Sequence, residues 1–246
     1  MKSFQRLSFT FKTNYLLKDY DAIKKHWQLH FNRSKYDGHW DVIQLRSPLS
    51  MHHPASSGYA DSVYQDTSLL DRMHYFKTIL AQFNCPITSV RLLKLSAGSV
   101  IKKHVDPDLR FWSGFVRLHI PILTNDQVTF FIDEDSLHMR PGECWFAEFC
   151  LPHAVQNLGT TDRVHLVIDL KVNDWLKQLF EKEGIIYSGE VAPDPIDGYS
   201  KEEKAELIAS LKEMNTQTSR QLAREYATRY QLTYLLNTRD QVKNEH

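Results

Sequence analysis

The chain has 246 residues, enough for one generous domain or for a domain with an extension, and its 30 Lys and Arg balance 30 Asp and Glu. A formal net charge of zero supplies no field to concentrate nucleic acid or an anionic membrane, so neither is expected as a partner and recognition is sought in a pocket. Three cysteines, Cys85, Cys144 and Cys150, form no Cys-x-x-Cys pair and suit reduced thiols better than a disulfide framework or a zinc ribbon. The first twenty residues interleave polar and apolar side chains instead of forming a signal-peptide core, and no run reaches the length of a membrane span, so a cytoplasmic location is expected.

In chain order, Ser8 to Leu16 alternates like a strand, Leu17 to Phe31 has apolar residues at helical spacing, and His39 to Ser47 reads as a second strand. Ser47 to Thr67 mixes Pro, Gly and Ser with two adjacent histidines, the texture of a long surface loop of the kind that serves as a lid. Leu69 to Phe83 predicts a short helix ended before Pro86. From Ile87 to Val172 the pattern changes to short strands rich in β-branched and aromatic residues, namely VRLLKLS, FVRLHIPI, QVTFFID, ECWFAEF and RVHLVIDLKV. Turn residues such as Ala97-Gly98, Thr124-Asn125-Asp126 and Pro141-Gly142 separate them. Many short strands at this spacing indicate a jelly roll or sandwich. Helical patterns return in DWLKQLFEKEG, in Lys201 to Met214 and in Arg220 to Leu236, with Pro193 and Pro195 in a linker. The expected architecture is mainly β with flanking helices, a jelly-roll core domain over 1–185 and a C-terminal helical extension over 186–246.

Three residues in the strand-rich part have metal-ligand chemistry. His104 and Asp106 are one residue apart, so from a strand or strand end both side chains leave on the same face. His153, behind Pro152, supplies a third ligand if the two segments are neighbours across a barrel mouth. Two imidazoles and one carboxylate form the facial set that leaves positions open on Fe(II) for a co-substrate and for O₂. Arg163 opens the following strand, and its fork of donors suits the far carboxylate of a metal-bound 2-oxoacid. Arg117 and His119 alternate on one face of FVRLHIPI and are placed for the near carboxylate.

Plainer assignments compete. Among 12 histidines a lone His-x-Asp is a weak signal, and His52, His53, His138 and His165 read as surface or packing residues. Arg117 also fits an ion pair with Asp133 or Asp169. The aromatic cluster Phe130, Phe131, Trp145, Phe146 and Phe149 reads as core with some members lining a pocket, and Lys102 and Lys103 as a solvated face. Two other function classes draw on the same residues. A zinc-dependent hydrolase would use the two histidines and the aspartate and leave Arg163 without a task, whereas a non-catalytic jelly-roll ligand-binding module would need none of them. Only the iron reading employs Arg163 and Arg117 as well as the triad.

Taken together, the strand before Gly98, His104 with Asp106, Arg117-x-His119, Gly142-Glu-x-Trp145, Pro152-His153 and Arg163-Val-His-Leu-Val-Ile-Asp169 resemble the aspartyl/asparaginyl β-hydroxylase family, which includes bacterial free-proline hydroxylases. The likeness runs from about Val90 to Trp175. It implies a double-stranded β-helix (cupin-like) dioxygenase using Fe(II), O₂ and 2-oxoglutarate. His104, Asp106 and His153 would lie on iron, Arg163 on the distal carboxylate of 2-oxoglutarate, and Arg117 with His119 at its proximal end. The implied substrate is an amino acid, either free and proline-like or an Asp/Asn-type residue within a peptide or protein. Animal members lack the acidic iron ligand and carry a membrane anchor and helical repeats, so Asp106 brings this chain nearer the free-proline hydroxylases. Arg46, His53, Tyr59, Arg110 and Trp112 are candidates for fixing the charged ends of such a substrate. Leu207, Leu211, Tyr226, Tyr230 and Leu235 offer apolar surface through which the C-terminal helices would cap the pocket or form a homodimer.

Overall fold

The computed structural model describes residues 1–49, 63–186, 199–214 and 216–236. Most of the expected 47–67 loop, with His52, His53 and Tyr59, lies outside these, as does the linker with Pro193 and Pro195. The chain opens with β1 (Phe4–Thr10), α1 (Thr13–Ile23), the short strands β2 (Gln28–Leu29) and β3 (Tyr36–Asp37), β4 (Trp40–Pro48), β5 (Tyr64–Asp66) and α2 (His74–Leu80). There follow β6 (Ile87–Leu95), β7 (Val100–His104), β8 (Phe115–Leu123), β9 (Val128–Ile132), β10 (Asp135–Leu137), β11 (Glu143–Ala147), β12 (His153–Asn157) and β13 (Arg163–Lys171). Three helices close the sequence, α3 (Asp174–Lys182), α4 (Lys201–Glu213) and α5 (Gln217–Arg229).

The larger sheet runs β1-β11-β8-β13-β6-β4-β2 with β5 on β4, and the smaller runs β10-β9-β12-β7-β3. Between residues 87 and 171 the chain alternates between them, so that β6, β8, β11 and β13 lie in the larger sheet and β7, β9, β10 and β12 in the smaller. This antiparallel order is the jelly roll expected from the strand spacing, in the double-stranded β-helix form that the resemblance implies. The turn between β10 and β11 shows how sequence sets the path. Pro141 and Gly142 are its central residues, Glu143 N–H donates to the Arg140 carbonyl at 3.2 Å, and Gly142 has φ +82°. That is a type II turn, and a Cβ at Gly142 would also collide with the Phe11 carbonyl.

The larger sheet is buried on both faces, so its strands read as apolar runs in which every second residue faces the other sheet. In β13, Val164, Leu166, Ile168 and Leu170 pack with helix residues such as Leu16, Phe76 and Phe180. Arg163, His165, Val167 and Asp169 alternate with them, and Val167 belongs to the core between the sheets. The strand register sets Asp169 opposite Arg117, and Val167 opposite both His119 and Arg91. Buried Arg91, Arg117, His119, Arg163, His165 and Asp169 therefore share one face.

Several boundaries differ from the sequence pattern. The first strand ends at Thr10 and the first helix occupies Thr13–Ile23, because β1 pairs with β11 from Phe4↔Ala147 to Leu7↔Cys144. Leu16, Tyr20 and Ile23 then bury one helical face. Long-range pairing overrides the local alternation at residues 8–16. The helix expected over Leu69–Phe83 breaks at Met73, and the Tyr75 and Phe76 N–H groups donate to Asp19 Oδ2 of α1 at 2.8 and 2.9 Å. β10 has no counterpart in the strands read from the sequence.

Backbone contacts divide the chain into Met1–Glu190 and Val191–His246. In the second unit, Ser200 and Glu203 form a capping box on α4, and Thr216 with Ser219 forms one on α5. The helix expected from Arg220 to Leu236 stops at Arg229, where Gln231 takes φ +57°. Leu232 N–H donates to the Ala227 carbonyl at 2.7 Å, a Schellman cap. Ile208, Leu211, Ala223, Ala227 and Leu232 form this unit's core, with Leu207, Tyr226, Tyr230 and Leu235 packed against it. The apolar residues offered for capping or dimer formation are thus engaged inside their own unit. Among the described residues no helix is long and apolar enough to cross a membrane.

Candidate metal centre and anion pocket

His104 at the end of β7 lies directly opposite His153 at the start of β12, with ring centroids 4.2 Å apart. Asp106 follows two residues later, held by its own N–H to the Phe149 carbonyl at 2.9 Å. One ligand atom from each of the three lies within 4.8 Å of the others.

Tautomers are fixed by the backbone. His104 Nδ1 is 2.7 Å from the Lys102 carbonyl, and His153 Nδ1 is 2.9 Å from the Leu151 carbonyl. A carbonyl only accepts, so each Nδ1 carries the proton and each Nε2 keeps a bare lone pair, as a metal ligand requires. Burial holds both imidazoles neutral, pushing His104 below its ordinary value and His153 down to about 4. For Asp106, burial acts upward, but Arg117, the two histidines and Lys35 outweigh it and bring the carboxyl down to about 2. The set is two neutral imidazoles and an ionised carboxylate, which suits a divalent transition metal.

Arg117 is fully engaged. Its Nε and Nη2 donate to the two oxygens of Asp169 at 2.7 and 3.0 Å, and its Nη1 donates to Asp106 Oδ2 at 2.8 Å. Arg91 Nη1 reaches Asp169 Oδ2 at 3.1 Å. The plainer sequence assignment, an ion pair with Asp169, is therefore the geometry found. Lys35 stands at the rim, 3.6 Å from Asp106 Oδ1.

Arg163 is buried at 1% exposure and has no such partner. Its Nη2 donates to His165 Nδ1 at 2.9 Å and lies 3.5 Å from His119 Nδ1, and its Nε has no partner among the described residues. Burial alone lowers it, to about 9. Among the described residues three buried guanidinium groups, Arg91, Arg117 and Arg163, face two carboxylates, Asp106 and Asp169, and the uncompensated charge is on Arg163. A buried cation without a counter-ion carries a desolvation cost that a bound anion would offset.

Two cavities meet at the triad. An inner one of ≈ 40 Å³ runs past His119, Phe130 and Phe149 to Arg163. An outer one of ≈ 180 Å³ is lined by Phe31, Asn32, Lys35, Arg91 and Asp108, among others. His104, Asp106, Arg117 and Trp40 border both. Of the aromatic cluster, Phe130 and Phe149 line the inner cavity, whereas Phe146 packs on Phe180 behind the larger sheet. Other residues singled out in the sequence lie elsewhere. Arg46 pairs with Asp66 at 2.5 Å, Trp112 packs on Phe111, His138 Nδ1 donates to the Val128 carbonyl, and Lys102 pairs with Asp37 at 2.8 Å.

Buried imidazoles also make stability depend on pH. Burial lowers His30 to about 3 and His153 to about 4, and holds His119 and His165 well below the ordinary value. The unfolded chain takes up these protons near pH 6.5 and the folded chain does not, so stability is complete above about pH 6.5 and falls toward pH 4, by up to about 1.4 kcal/mol per pH unit for each group. Glu148, raised by burial, works in the opposite direction as a single group. Urea midpoints measured from pH 7.5 to 4.5 are expected to fall steeply below 6.5; a flat profile would mean that these rings are not held neutral.

The family model described as Aspartyl/Asparaginyl beta-hydroxylase matches residues 13–172, a span that includes the triad and Arg163. The chain belongs to the aspartyl/asparaginyl β-hydroxylase family. It is 27% identical over 136 residues to the L-proline cis-4-hydroxylase of Rhizobium meliloti (strain 1021), covering 54% of this chain and 48% of that protein. With an L-proline cis-3-hydroxylase 1 from a Streptomyces species it shares 25% identity over 190 residues, 70% of this chain and 62% of that one. It thus spans about half to three-fifths of these curated relatives. Among solved structures, an oxidoreductase of the 2OG-Fe(II) oxygenase family from Burkholderia pseudomallei aligns at a TM-score of 0.44 and 12% identity, over 64% of this chain and 79% of that one. A Pseudomonas putida prolyl-4-hydroxylase aligns at 0.45 and 9%, over 70% and 93%. The fold assignment rests on the strand order itself.

Proposed function

We propose that this family member is an Fe(II)- and 2-oxoglutarate-dependent hydroxylase of an amino acid, free or within a peptide. Residues 1–185 carry the chemistry and 186–246 form a helical extension. The observation that carries the reading is the pairing, in one chamber, of two imidazoles whose Nε2 lone pairs are bare with a buried guanidinium that lacks a counter-ion. A zinc hydrolase would have no use for that cation.

In this reading His104, Asp106 and His153 hold Fe(II), and Arg163 takes the far carboxylate of 2-oxoglutarate in the inner cavity. Arg117 fixes Asp106 against Asp169 and, beside His119, borders the space next to the metal. When bound, Fe(II) and 2-oxoglutarate supply the oxidising chemistry: O₂ delivers one oxygen atom to a substrate C–H bond and the other to succinate, with release of CO₂. The chain's own contribution is to fix the ligands' protonation, keep an acidic co-substrate away from bulk water, and present the substrate from the outer cavity. That cavity offers donors on Asn32, Lys35 and Arg91, an acceptor on Asp108, and apolar walls on Phe31 and Trp40, which suits an amino acid with two charged ends. The two proline hydroxylases make L-proline the first substrate to try.

The test is turnover of an amino-acid and Asp/Asn-peptide panel with Fe(II), 2-oxoglutarate and O₂. Succinate and hydroxylated product in equal amounts are expected, with yield falling on the order of 100-fold or more in Asp106→Ala. Product formed without O₂, or full yield from Asp106→Ala, would contradict the reading.

A further inference from the structure

We propose that His165 is a positioning residue for the dicarboxylate co-substrate, aiming the Arg163 guanidinium into the inner cavity. The inference rests on the hydroxylase reading and adds a residue to its anion pocket. His165 lies two residues beyond Arg163 on β13 and is 2% exposed. It does not line the inner cavity but stands behind the two residues that do, Arg163 and His119.

One hydrogen bond fixes the His165 tautomer. An arginine only donates, so the 2.9 Å contact from Arg163 Nη2 requires a bare lone pair on His165 Nδ1, and the His165 proton sits on Nε2. His119 Nδ1 lies 3.2 Å from that same Nδ1 and 3.5 Å from Arg163 Nη2, a longer contact on the same guanidinium nitrogen. Among the described residues the Nε2 atoms of both rings are buried without partners.

Two orphaned ring nitrogens are a standing penalty that a pair of leucines would not incur. Their placement makes sense if the acceptor on His165 Nδ1 is what matters. It occupies Nη2, leaving Arg163 Nε without a partner and its remaining donors for an incoming carboxylate. Without it, a long side chain with no carboxylate partner among the described residues would lose the shorter of its two recorded contacts and its fixed aim.

The experiment compares His165→Phe, His165→Asn and His165→Gln in the full chain, measuring anaerobic 2-oxoglutarate and succinate binding to the metal-loaded protein, metal affinity, and KM against kcat. Phenylalanine fills the site but accepts nothing. Asparagine returns an oxygen at the Nδ1 position, and glutamine puts it one bond further out. His165→Phe is expected to weaken 2-oxoglutarate binding about 10- to 100-fold, the range for a hydrogen bond to a charged group. Metal affinity and kcat at saturating 2-oxoglutarate should be little changed, and the loss should appear in KM. His165→Asn should recover most of the binding and His165→Gln should not, a comparison that stands even if the phenylalanine variant fails to fold. Wild-type affinity in His165→Phe, or equal loss in the Asn and Gln variants, would overturn the positioning role and leave the hydroxylase reading intact. No dicarboxylate affinity in the wild-type protein would overturn both.

Discussion

Arg163→Met is expected to weaken 2-oxoglutarate binding at least about 100-fold while leaving the ligand-free protein as stable as wild type, or more so. The two halves share one cause. Among the described residues Arg163 is buried with no carboxylate beside it and with an unpartnered Nε, so in the absence of an anion it contributes a desolvation penalty offset only by its contacts with His165 and His119. Removing a buried, unpaired charge in favour of an apolar side chain of similar length relieves that penalty. Once a dicarboxylate is bound the sign reverses, because truncating one partner of a buried charge pair costs about 2–5 kcal/mol, of which 100-fold in affinity takes about 2.7. Thermal denaturation of the two apoproteins and equilibrium dialysis with 2-oxoglutarate measure both. A variant that still bound 2-oxoglutarate normally would remove Arg163 from the pocket. One markedly less stable without ligand would show that the guanidinium has a structural partner.

Asp169→Ala should have the opposite profile, a loss of about 3–5 kcal/mol of stability before any ligand is considered. Asp169 is 2% exposed and takes two hydrogen bonds from Arg117 and an ion pair from Arg91. Deleting it leaves two guanidinium groups facing each other without compensation, and that is a large part of a domain's usual 5–15 kcal/mol. An exposed pair such as Lys24–Asp21 would be lost with little effect. Asp169→Asn retains the shape but not the charge, and a similar loss is expected from it. Metal affinity should also fall, since Arg117 would be released to close on Asp106 in competition with the metal. Denaturant unfolding and metal titration check the two effects; a stability change below 1 kcal/mol would show that the arginines find other partners.

The opposite consequences of these substitutions, six residues apart on one strand, show what the sequence makes legible. The period-two pattern of β13 could be read directly, since even spacing places Arg163, His165 and Asp169 on one face. Short β-branched runs separated by turn residues such as Pro141-Gly142 point to a jelly roll or sandwich but not to the order of strands within its sheets. His104-x-Asp106 was visible as a same-face pair, and its alignment with His153 required the β7–β12 register, which local pattern does not encode. His165 passed as a packing residue because nothing local distinguishes a histidine that fills space from one whose Nδ1 orients a neighbour. Even spacing from Arg163 was the available signal. Arg91 was missed for a similar reason, since its apolar neighbours in VRLLKLS mask a charge that Asp169 on β13 compensates from far along the chain. The shifted β1 and α1 arise from pairing with β11, more than 130 residues away, and the break at Met73 from a cap donated by Asp19 on another helix.

The most direct measurement of the central claim is an anaerobic titration of the apoprotein with Fe(II) and then 2-oxoglutarate, followed by visible absorption. A weak charge-transfer band is expected to appear only when both are present, and to vanish in Asp106→Ala. Fe(II) bound at one equivalent with no band at saturating 2-oxoglutarate would contradict the assignment of this chamber to a metal-chelated 2-oxoacid.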